Sequence, residues 1–582
     1  MATTNGKIDS EERGLLRSRR PRPNVLAREA GSTQPHSRSA LPSLLWPDTA
    51  SACPTARLSQ AASTDLALDR VIQALNVGGR HERVIRDTLY ELCLDTETIL
   101  YRQDILADLR AAPELVSKLR AILPEISALA AKGISGWKGD SPLMVVLERL
   151  GELDAYVRCI DTLRGILDGA RDMQSAGLLA LREGVSELAE DPEVATLRSE
   201  LPALHELIAE TTSVSIGVNL GAGLQPESVT IASLNRFQFR GPRSLLGRLL
   251  PRSVSSQHGR TPLREVGPVN LRRGSQLFKD LQEVLEAATA PLAKALDRYR
   301  DVSVKPLVAL EGDLAFFTGA AVLASRLEGA GIPLCRPEIA SIEERVFDVA
   351  DLGNVALGLQ LMDHPGGLVT NEACFDERAR LLVLTGPNRG GKTTYCRALG
   401  QAQVMFQCGL FVAGSRARIS PVDGIYTHFP LPEADQPGSG RLDEEIQRLR
   451  RIFDKATPSS LILLNEPLTS TSERGALSIA TDIVRALQVL GARVLLVTHL
   501  HDLAHRIPGL NDSGPATGGI RSLVAEATSA DGTVRGTYRI VPGVPAGRSF
   551  ATEIARQHGV TFEQLTRTFA DRAARPQSGP PT

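Results

Sequence analysis

The chain has 582 residues, a formal net charge of −1 at pH 7 and an ordinary 42% of hydrophobic residues. A length of this order predicts several domains, and a charge near zero excludes a whole-chain attraction to nucleic acid, so any basic surface must be local. Seven scattered cysteines without a C-x-x-C pair argue against a disulfide framework or a zinc site, and no segment approaches the roughly 20 apolar residues of a membrane span. We therefore expect a multidomain protein of a reducing, cytoplasmic compartment with no membrane partner.

The N-terminal part of the sequence predicts a tail followed by a helical domain. Residues 1–62 are rich in Pro, Ser, Ala and Arg, a composition that favours disorder. The basic cluster at residues 17–23 leaves open a nucleic-acid-binding arm or a transit peptide, but Asp9, Glu11, Glu12 and Glu29 weaken the latter and a plain solvated tail is favoured. From Asp65 to about Ala209, apolar residues recur near i, i+3 and i+4, which predicts several helices and says nothing about function.

The pattern changes at Ser213. Apolar residues alternate with polar ones over residues 213–235 around a Gly-rich break, which predicts two strands inserted in the helical region. The next stretch is strongly basic and punctuated by Pro and Gly, so it is either a loop that neutralises DNA phosphates or a solvated insertion. The candidate DNA-binding residues are Arg236, Arg240, Arg243, Arg248 and Arg252. Helix resumes near Ser275, and prolines mark a boundary near residue 335.

The second half contains the most specific motif of the chain. Residues 381–394 read LLVLTGPNRGGKTT, an apolar run followed by a match to G-x-x-x-x-G-K-[ST] from Gly386 to Thr393, and the segment after it has few helix breakers. Strand, glycine loop and helix in this order predict a phosphate-binding loop. Its backbone N–H groups would surround phosphate oxygens, while Lys392 would reach the β- and γ-phosphates and Thr393 would ligate Mg²⁺.

Two further apolar strands end in polar side chains. Residues 441–456 predict an acidic, arginine-rich helix, and LILLNEP then predicts a strand that ends in Asn465 and Glu466. Residues 492–504 predict another strand, which ends near His499. A phosphate loop, a strand ending in an acidic residue and a strand ending in His are the order found in ATPases of the ABC type. Each strand ends where a doubly wound α/β sheet would carry its site.

Taken together, these segments resemble the MutS family of DNA mismatch-repair ATPases. The resemblance rests on TGPNRGGKTTYCRALGQAQVMFQCGLFVAG, NEPLTSTSERG, VTHLHDL, YRIVPGVPAGRSFATEIARQHGV and, in the helical part, LDTETILYRQDILADL. It implies a multidomain fold: an α-rich lever and core domain over 63–335 with a small β clamp insertion near 213–273, then an α/β P-loop ATPase domain of the ABC type over 336–575 and a tail over 576–582.

The resemblance also implies an ATP and Mg²⁺ site. Glu466 would polarise the attacking water as general base, His499 would contact the γ-phosphate, and Asn371 would lie by the adenine. Ser439 would reach across to the ATP of a partner subunit, which implies a homodimer with composite sites. The residues implied at the nucleotide are Gly386, Pro387, Asn388, Gly390, Gly391, Lys392, Thr393, Thr394, Asn371 and Ser439, with Thr393 and Asn465 at the metal.

The sequence departs from the family pattern in two places. Asn465 stands where most of the family has Asp, so it keeps hydrogen-bonding capacity and loses the charge. This predicts weaker Mg²⁺ affinity and slower hydrolysis with ATP binding kept, unless a neighbouring acidic residue compensates. Full mismatch sensors carry additional N-terminal domains with a Phe-x-Glu wedge, and no Phe precedes Phe237 here. Mismatch reading by that wedge is therefore not expected, and the chain resembles shorter members that clamp branched or joint DNA.

Three functions follow from this interpretation. The first is a DNA-dependent ATPase whose dimer closes around DNA in mismatch repair or recombination-related processing. The second is an ATP-binding DNA-structure or regulatory module with little hydrolysis, which Asn465 favours. The third is an ATPase of the ABC type that acts on a transporter or ribosome, which the absence of an LSGGQ-like loop disfavours.

Overall fold

The computed structural model describes residues 41–47, 54–134, 142–209, 213–220, 226–235, 276–362, 367–430, 440–515, 518–530, 533–545, 556 and 558–574. The helices are α1 (Gln60–Asp65), α2 (Leu68–Leu75), α3 (Glu82–Tyr90), α4 (Thr96–Ala111), α5 (Pro113–Ile134), α6 (Pro142–Asp168), α7 (Ala176–Glu190), α8 (Pro192–Ala209), α9 (Gln276–Leu296), α10 (Lys305–Gly329), α11 (Val355–Gln360), α12 (Lys392–Gln407), α13 (Arg441–Phe453), α14 (Glu473–Leu490), α15 (His501–Ser513) and α16 (Phe562–Ala574).

The strands are shorter and concentrate in the second half. They are β1 (Thr55–Arg57), β2 (Glu91–Cys93), β3 (Ser213–Leu220), β4 (Pro226–Asn235), β5 (Leu334–Cys335), β6 (Glu338–Ile339), β7 (Phe347–Leu352), β8 (Asn371–Phe375), β9 (Leu381–Thr385), β10 (Val412–Ala413), β11 (Arg416–Ile419), β12 (Ile425–His428), β13 (Leu461–Asn465), β14 (Arg493–Val497), β15 (Ile520–Ala530) and β16 (Thr533–Pro542). The predicted helical region up to Ala209 and the predicted strand pair, which is the antiparallel hairpin β3–β4, are both confirmed.

The helical part is built around α10. This helix packs against α2, α3, α4 and α5, and its Gly319 lies so close to α2 that a Cβ there would meet the Leu75 carbonyl oxygen at 2.1 Å. Helix α10 is long and apolar enough to cross a membrane, whereas the sequence predicts no such segment. Because 72% of its most apolar stretch is buried among the other helices, its apolar surface is explained as protein core.

The second half is organised by a six-stranded sheet in the order β12-β13-β14-β9-β15-β16. The first five strands are parallel, and β16 returns antiparallel to β15. All five residues of β9 are buried: Leu382 and Leu384 face the cluster that contains α12, while Leu381 and Val383 face the cluster of α14 and α15. Helices cover both faces of this sheet. Because β9, β13 and β14 are parallel, their carboxyl ends lie at the same edge of the sheet.

A four-stranded sheet, β6-β11-β7-β8, lies beside the six-stranded one and was not predicted. Its strands are two to six residues long, too short for a clear period-two pattern. Arg493, at the start of β14, joins the two sheets by donating to the carbonyl oxygens of Val346 (2.9 Å), Ser420 (3.0 Å) and Pro421 (2.9 Å). Burial, followed by the nearby arginines, lowers the pKa of Arg493 to about 9.

The boundary near residue 335 separates two classes of secondary structure that share one core. A single hydrophobic cluster extends from the helices into β9 and α12. The Gln401 amide on α12 donates to the Leu66 carbonyl oxygen (2.8 Å), and the Gln407 amide donates to that of Cys93 (3.0 Å). The α/β part is therefore seated on the helical part through α12.

The prediction of a disordered tail up to residue 62 is wrong for residues 41–47 and 54–62. Leu44 is fully buried, and the Asp313 carboxylate accepts hydrogen bonds from the Ser43 hydroxyl (2.7 Å) and the Leu44 N–H (2.8 Å). The Arg102 guanidinium lies 4.4 Å from the centre of the Trp46 ring. Composition alone missed this segment because its few apolar residues find partners that are remote in the sequence. The candidate arginines Arg236, Arg240, Arg243, Arg248 and Arg252, together with Ser439, lie outside the described residues.

Candidate functional site

The glycine loop connects β9 to α12, as the motif predicts. Gly386 has φ +131° and Gly391 has φ +89°, which are left-handed values that glycine adopts without steric cost. A Cβ on Gly386 would lie 2.8 Å from the Ala525 Cβ, and one on Gly390 would lie 3.0 Å from it. The loop is therefore held close against β15, and a side chain at position 386 or 390 would clash with Ala525.

Lys392 is the first residue of α12 and is 4% exposed. Its Nζ donates to the carbonyl oxygens of Gly386 (2.9 Å) and Pro387 (3.0 Å) and lies 3.8 Å from Glu466 Oε1. Burial lowers the pKa of Lys392, and the Glu466 carboxylate counteracts this shift. The ammonium group is thus buried at the centre of the loop.

Thr393 and Asn465 meet although 72 positions separate them. Thr393 Oγ1 donates to Asn465 Oδ1 at 3.3 Å, because Asn465 is the last residue of β13 and Thr393 lies in the first turn of α12. Both offer the oxygen ligands that Mg²⁺ prefers, although neither carries a charge. Among the described residues no group of three or more His, Cys, Asp or Glu side chains could hold a metal ion. Thr393 and Asn465 could thus hold a magnesium ion only through neutral oxygen atoms.

The side chains of Glu466 and His499 are hydrogen-bonded at the same edge of the sheet. Glu466 Oε1 lies 3.0 Å from His499 Nε2, and the Glu466 N–H donates to the Val497 carbonyl oxygen at 2.8 Å. The hydrogen bond from His499 is the main cause that lowers the pKa of Glu466; burial opposes it, and Lys392 adds to it. Glu466 is thus held as a carboxylate, although its φ of +54° is unusual for a residue with a side chain.

A cavity of about 620 Å³ adjoins these groups. Its lining combines polar residues of the glycine loop with Leu352, Leu357, Leu361 and Val369, which are apolar. The size lies within the range of small-molecule and cofactor sites. The sequence-predicted residues among those that line it are Asn371, Asn388, Gly390, Gly391, Lys392, Thr393, Thr394, Glu466 and His499.

The Asn371 amide is engaged with β16. Its Oδ1 accepts from the Ile540 N–H (2.6 Å), and its Nδ2 donates to the Tyr538 carbonyl oxygen (3.0 Å). Asn371 lines the cavity and holds the strand that carries Tyr538. The implied contact of Asn371 with adenine stays a prediction.

Sequence reasoning did not single out Tyr538. A bulge in the β15–β16 hairpin, with a shift of register between Ala525 and Ala527, gives Tyr538 a φ of +63°. Tyr538 lines the cavity and is 52% exposed, and a Cβ on Gly391 would lie 3.5 Å from the Cδ1 atom of its ring. Strained, exposed residues at a cavity are typical of ligand sites, but no local sequence signal marks this bulge.

The resemblance implies that Thr471 and Ser472 lie in the loop between two composite sites, and Ser472 also has a clear structural role. Its hydroxyl caps α14 by accepting from the Gly475 N–H at 3.3 Å. Thr471 comes directly before it, and a Cβ on Gly475 would lie 3.2 Å from the Thr471 hydroxyl oxygen.

The fold and the site define a class of protein in which a helical region is followed, in the same chain, by an α/β region with a glycine-loop cavity. The family model of the MutS2 N-terminal domain matches residues 94–330, and that of MutS domain V matches residues 382–570. The first range lies within the helical part and the second within the α/β part. The chain belongs to the MutS family.

Individual relatives agree with this assignment. Endonuclease MutS2 of Thermus thermophilus is 33% identical over 202 residues, which is 35% of this chain and 26% of the relative. DNA mismatch repair protein MutS of Chlorobium phaeobacteroides is 31% identical over 234 residues (40% and 26%), and that of Shouchella clausii is 29% identical over 296 residues (51% and 31%). The chain thus spans between 26% and 31% of the length of these relatives.

Proposed function

We propose that this protein binds and hydrolyses ATP at the glycine-loop cavity and couples hydrolysis to DNA as a dimeric clamp of the MutS type, in mismatch repair or recombination-related DNA processing. The observation that carries the proposal is that Lys392, Thr393, Glu466 and His499 all line one nucleotide-sized cavity, with Asn465 hydrogen-bonded to Thr393. These residues come from three separate strand ends, which is how an open α/β sheet builds a site.

The residues of the site suggest separate roles in phosphate binding, hydrolysis and contact with the adenine. The N–H groups of the glycine loop and the N-terminus of α12 would hold the phosphates. Lys392 would exchange its bonds to the loop carbonyls for phosphate oxygens, so its charge would act on the β- and γ-phosphates. Glu466, held ionised by His499, would accept a proton from the attacking water. Tyr538 would cover the adenine ring of ATP, next to the apolar lining residues.

Magnesium would be held by Thr393 and Asn465. Bound there, it would neutralise charge that develops on the phosphates. Because both protein ligands are neutral, the phosphates would supply most of the attraction. Asn465 therefore favours a second candidate function, an ATP-binding switch that hydrolyses slowly and regulates binding to DNA structures.

DNA binding and dimerisation are inferred from the family. The relatives named DNA mismatch repair protein MutS support DNA as the partner, and the hairpin β3–β4 stands where a clamp is expected in the chain. A homodimer would complete each nucleotide site through Ser439 of its partner. DNA binding through phosphates would weaken steeply as salt increases.

The test is ATP turnover by the purified protein, alone and with homoduplex, mismatched duplex and a four-way junction. Lys392→Ala serves as the blank. We expect turnover that DNA changes and that the blank lacks, and the order of the DNAs would identify the substrate. Nucleotide binding without turnover on any DNA would support the slow switch, and no nucleotide binding would overturn both proposals.

A further inference from the structure

Glu445, on the second turn of α13, spans the gap between that helix and the loop that follows Glu466. Its Oε1 accepts from the Leu468 N–H at 2.6 Å, and its Oε2 accepts from the Ser470 hydroxyl at 2.8 Å. Both oxygens of one carboxylate are thus committed to the same loop. A carboxylate that accepts two such bonds makes a strong, directional clamp because its charge strengthens each bond.

The loop needs such a clamp because its backbone is unfavourable by itself. Glu466 has φ +54° and Leu468 has φ +66°, and side-chain-bearing residues hold such angles only where their surroundings enforce them. The bond from the Glu466 N–H to the Val497 carbonyl oxygen enforces the first angle. In the same way, the hydrogen bond from the Leu468 N–H to the Glu445 carboxylate restrains the φ angle of Leu468.

Glu445 is itself held by β12. Its Oε1 lies 3.4 Å from Nε2 of His428, the last residue of that strand, and the His428 side chain is 1% exposed. The Arg448 guanidinium, one turn further along α13, donates to the Phe429 carbonyl oxygen at 3.1 Å. Helix α13, the end of β12 and the loop after Glu466 are therefore linked to one another through Glu445 and Arg448.

We infer that Glu445 is a positioning residue for the proposed reaction: it fixes the loop 466–470 and thereby keeps the Glu466 carboxylate beside His499 and Lys392. This inference rests on the proposed ATPase function of the site. Glu445 touches neither the cavity nor its polar groups among the described contacts, so it acts through the loop alone. It also makes α13 the element through which movement outside the site would reach Glu466.

The test compares Glu445→Ala with Glu445→Gln and with Asp443→Ala, which removes an exposed carboxylate from the same helix. Because a displacement of about 1 Å in a catalytic group costs about a hundredfold in rate, we expect Glu445→Ala to lower kcat by at least about tenfold while the Kd for ATP changes little. Glu445→Gln keeps an acceptor for the Leu468 N–H and is expected to retain most of kcat. Asp443→Ala is expected to match the wild type.

Hydrogen exchange of the segment 461–472 provides a readout that does not depend on activity. We expect faster exchange in Glu445→Ala and unchanged exchange in Asp443→Ala. Unchanged exchange in Glu445→Ala, or an equal loss of kcat in all three variants, would overturn the inference. If the wild type hydrolyses no ATP, the proposed hydrolysis is overturned. Faster hydrogen exchange in Glu445→Ala than in the wild type would then still support the restraint of the loop by Glu445.

Discussion

Thr393 Oγ1 and Asn465 Oδ1 lie 3.3 Å apart and join the start of α12 to the end of β13. Asn465 is 4% exposed, so any charge placed there is shielded from water. The pair includes Asn465, the position at which the resemblance to the family implies an Asp.

Asn465→Asp is expected to strengthen magnesium binding. A charge-assisted contact exceeds a neutral one by about 1.4 kcal/mol, so the Mg²⁺ concentration for half-maximal turnover should fall about tenfold. The measurement is a Mg²⁺ titration of ATP turnover. Asn465→Leu, which lacks an oxygen, is the control and should raise the requirement. Unchanged Mg²⁺ dependence in Asn465→Asp would mean that another acidic group already compensates.

The pH dependence of turnover should report the Glu466–His499 pair. His499 is the main cause of the lowered pKa of Glu466, so His499→Ala should raise that pKa towards its ordinary value of 4.5. Since the general base must be ionised, the acid limb of the rate profile should move to higher pH. The single-turnover rate from acid to neutral pH measures this. His499→Gln, which keeps an N–H donor, should move the limb less, and an unmoved limb in His499→Ala would exclude Glu466 as the base.

Gly409 tests whether the helical and α/β parts form one core. It has φ +77° and a Cβ there would lie 2.2 Å from the Arg102 Cβ, so Gly409→Ala should lower the free energy of unfolding by about 3 kcal/mol through backbone strain and overpacking. Gly331 has nearly the same φ, +78°, with nothing within 4 Å. Gly331→Ala should therefore cost only about 1 kcal/mol. Urea unfolding measures both, and equal losses would contradict close packing at Gly409.

Asp313 should be essential for holding residues 41–47 against the helical core. It accepts from the Ser43 hydroxyl and from the N–H groups of Leu44 and Leu45, so Asp313→Ala leaves buried donors unpaired and should cost about 3 kcal/mol. Asp313→Asn keeps an acceptor and should cost less than about 1 kcal/mol. Thermal unfolding distinguishes the two. A small loss in Asp313→Ala would show that this segment contributes little to the core.

Tyr538 should contribute to nucleotide affinity through its ring. Stacking of a base on an aromatic side chain is worth about 1–3 kcal/mol, so Tyr538→Ala should weaken ATP binding about tenfold or more. Tyr538→Phe keeps the ring and should bind normally. Titration with a fluorescent ATP analogue measures both. If inorganic triphosphate binds the wild type and Tyr538→Ala equally well, the loss resides at the base end of the cavity.

The sequence alone determined the elements that bear the site. The apolar run before Gly386, the runs that end in Asn465 and His499, and the alternation over 213–235 are local patterns, and local patterns decide strands, turns and helices. The positions of Lys392, Thr393 and Glu466 followed from the same motifs, because a parallel sheet brings its carboxyl ends to one edge.

Tertiary structure decided the rest, because the decisive partners are remote in the sequence. Leu44 and Asp313 are 269 positions apart, so composition could not reveal that residues 41–47 belong to the core. Tyr538 reaches the cavity through a bulge, and Glu445 reaches Leu468 across 23 positions. Hydrogen bonds between separate elements form only after the sheet and helices have packed, and no local pattern records them.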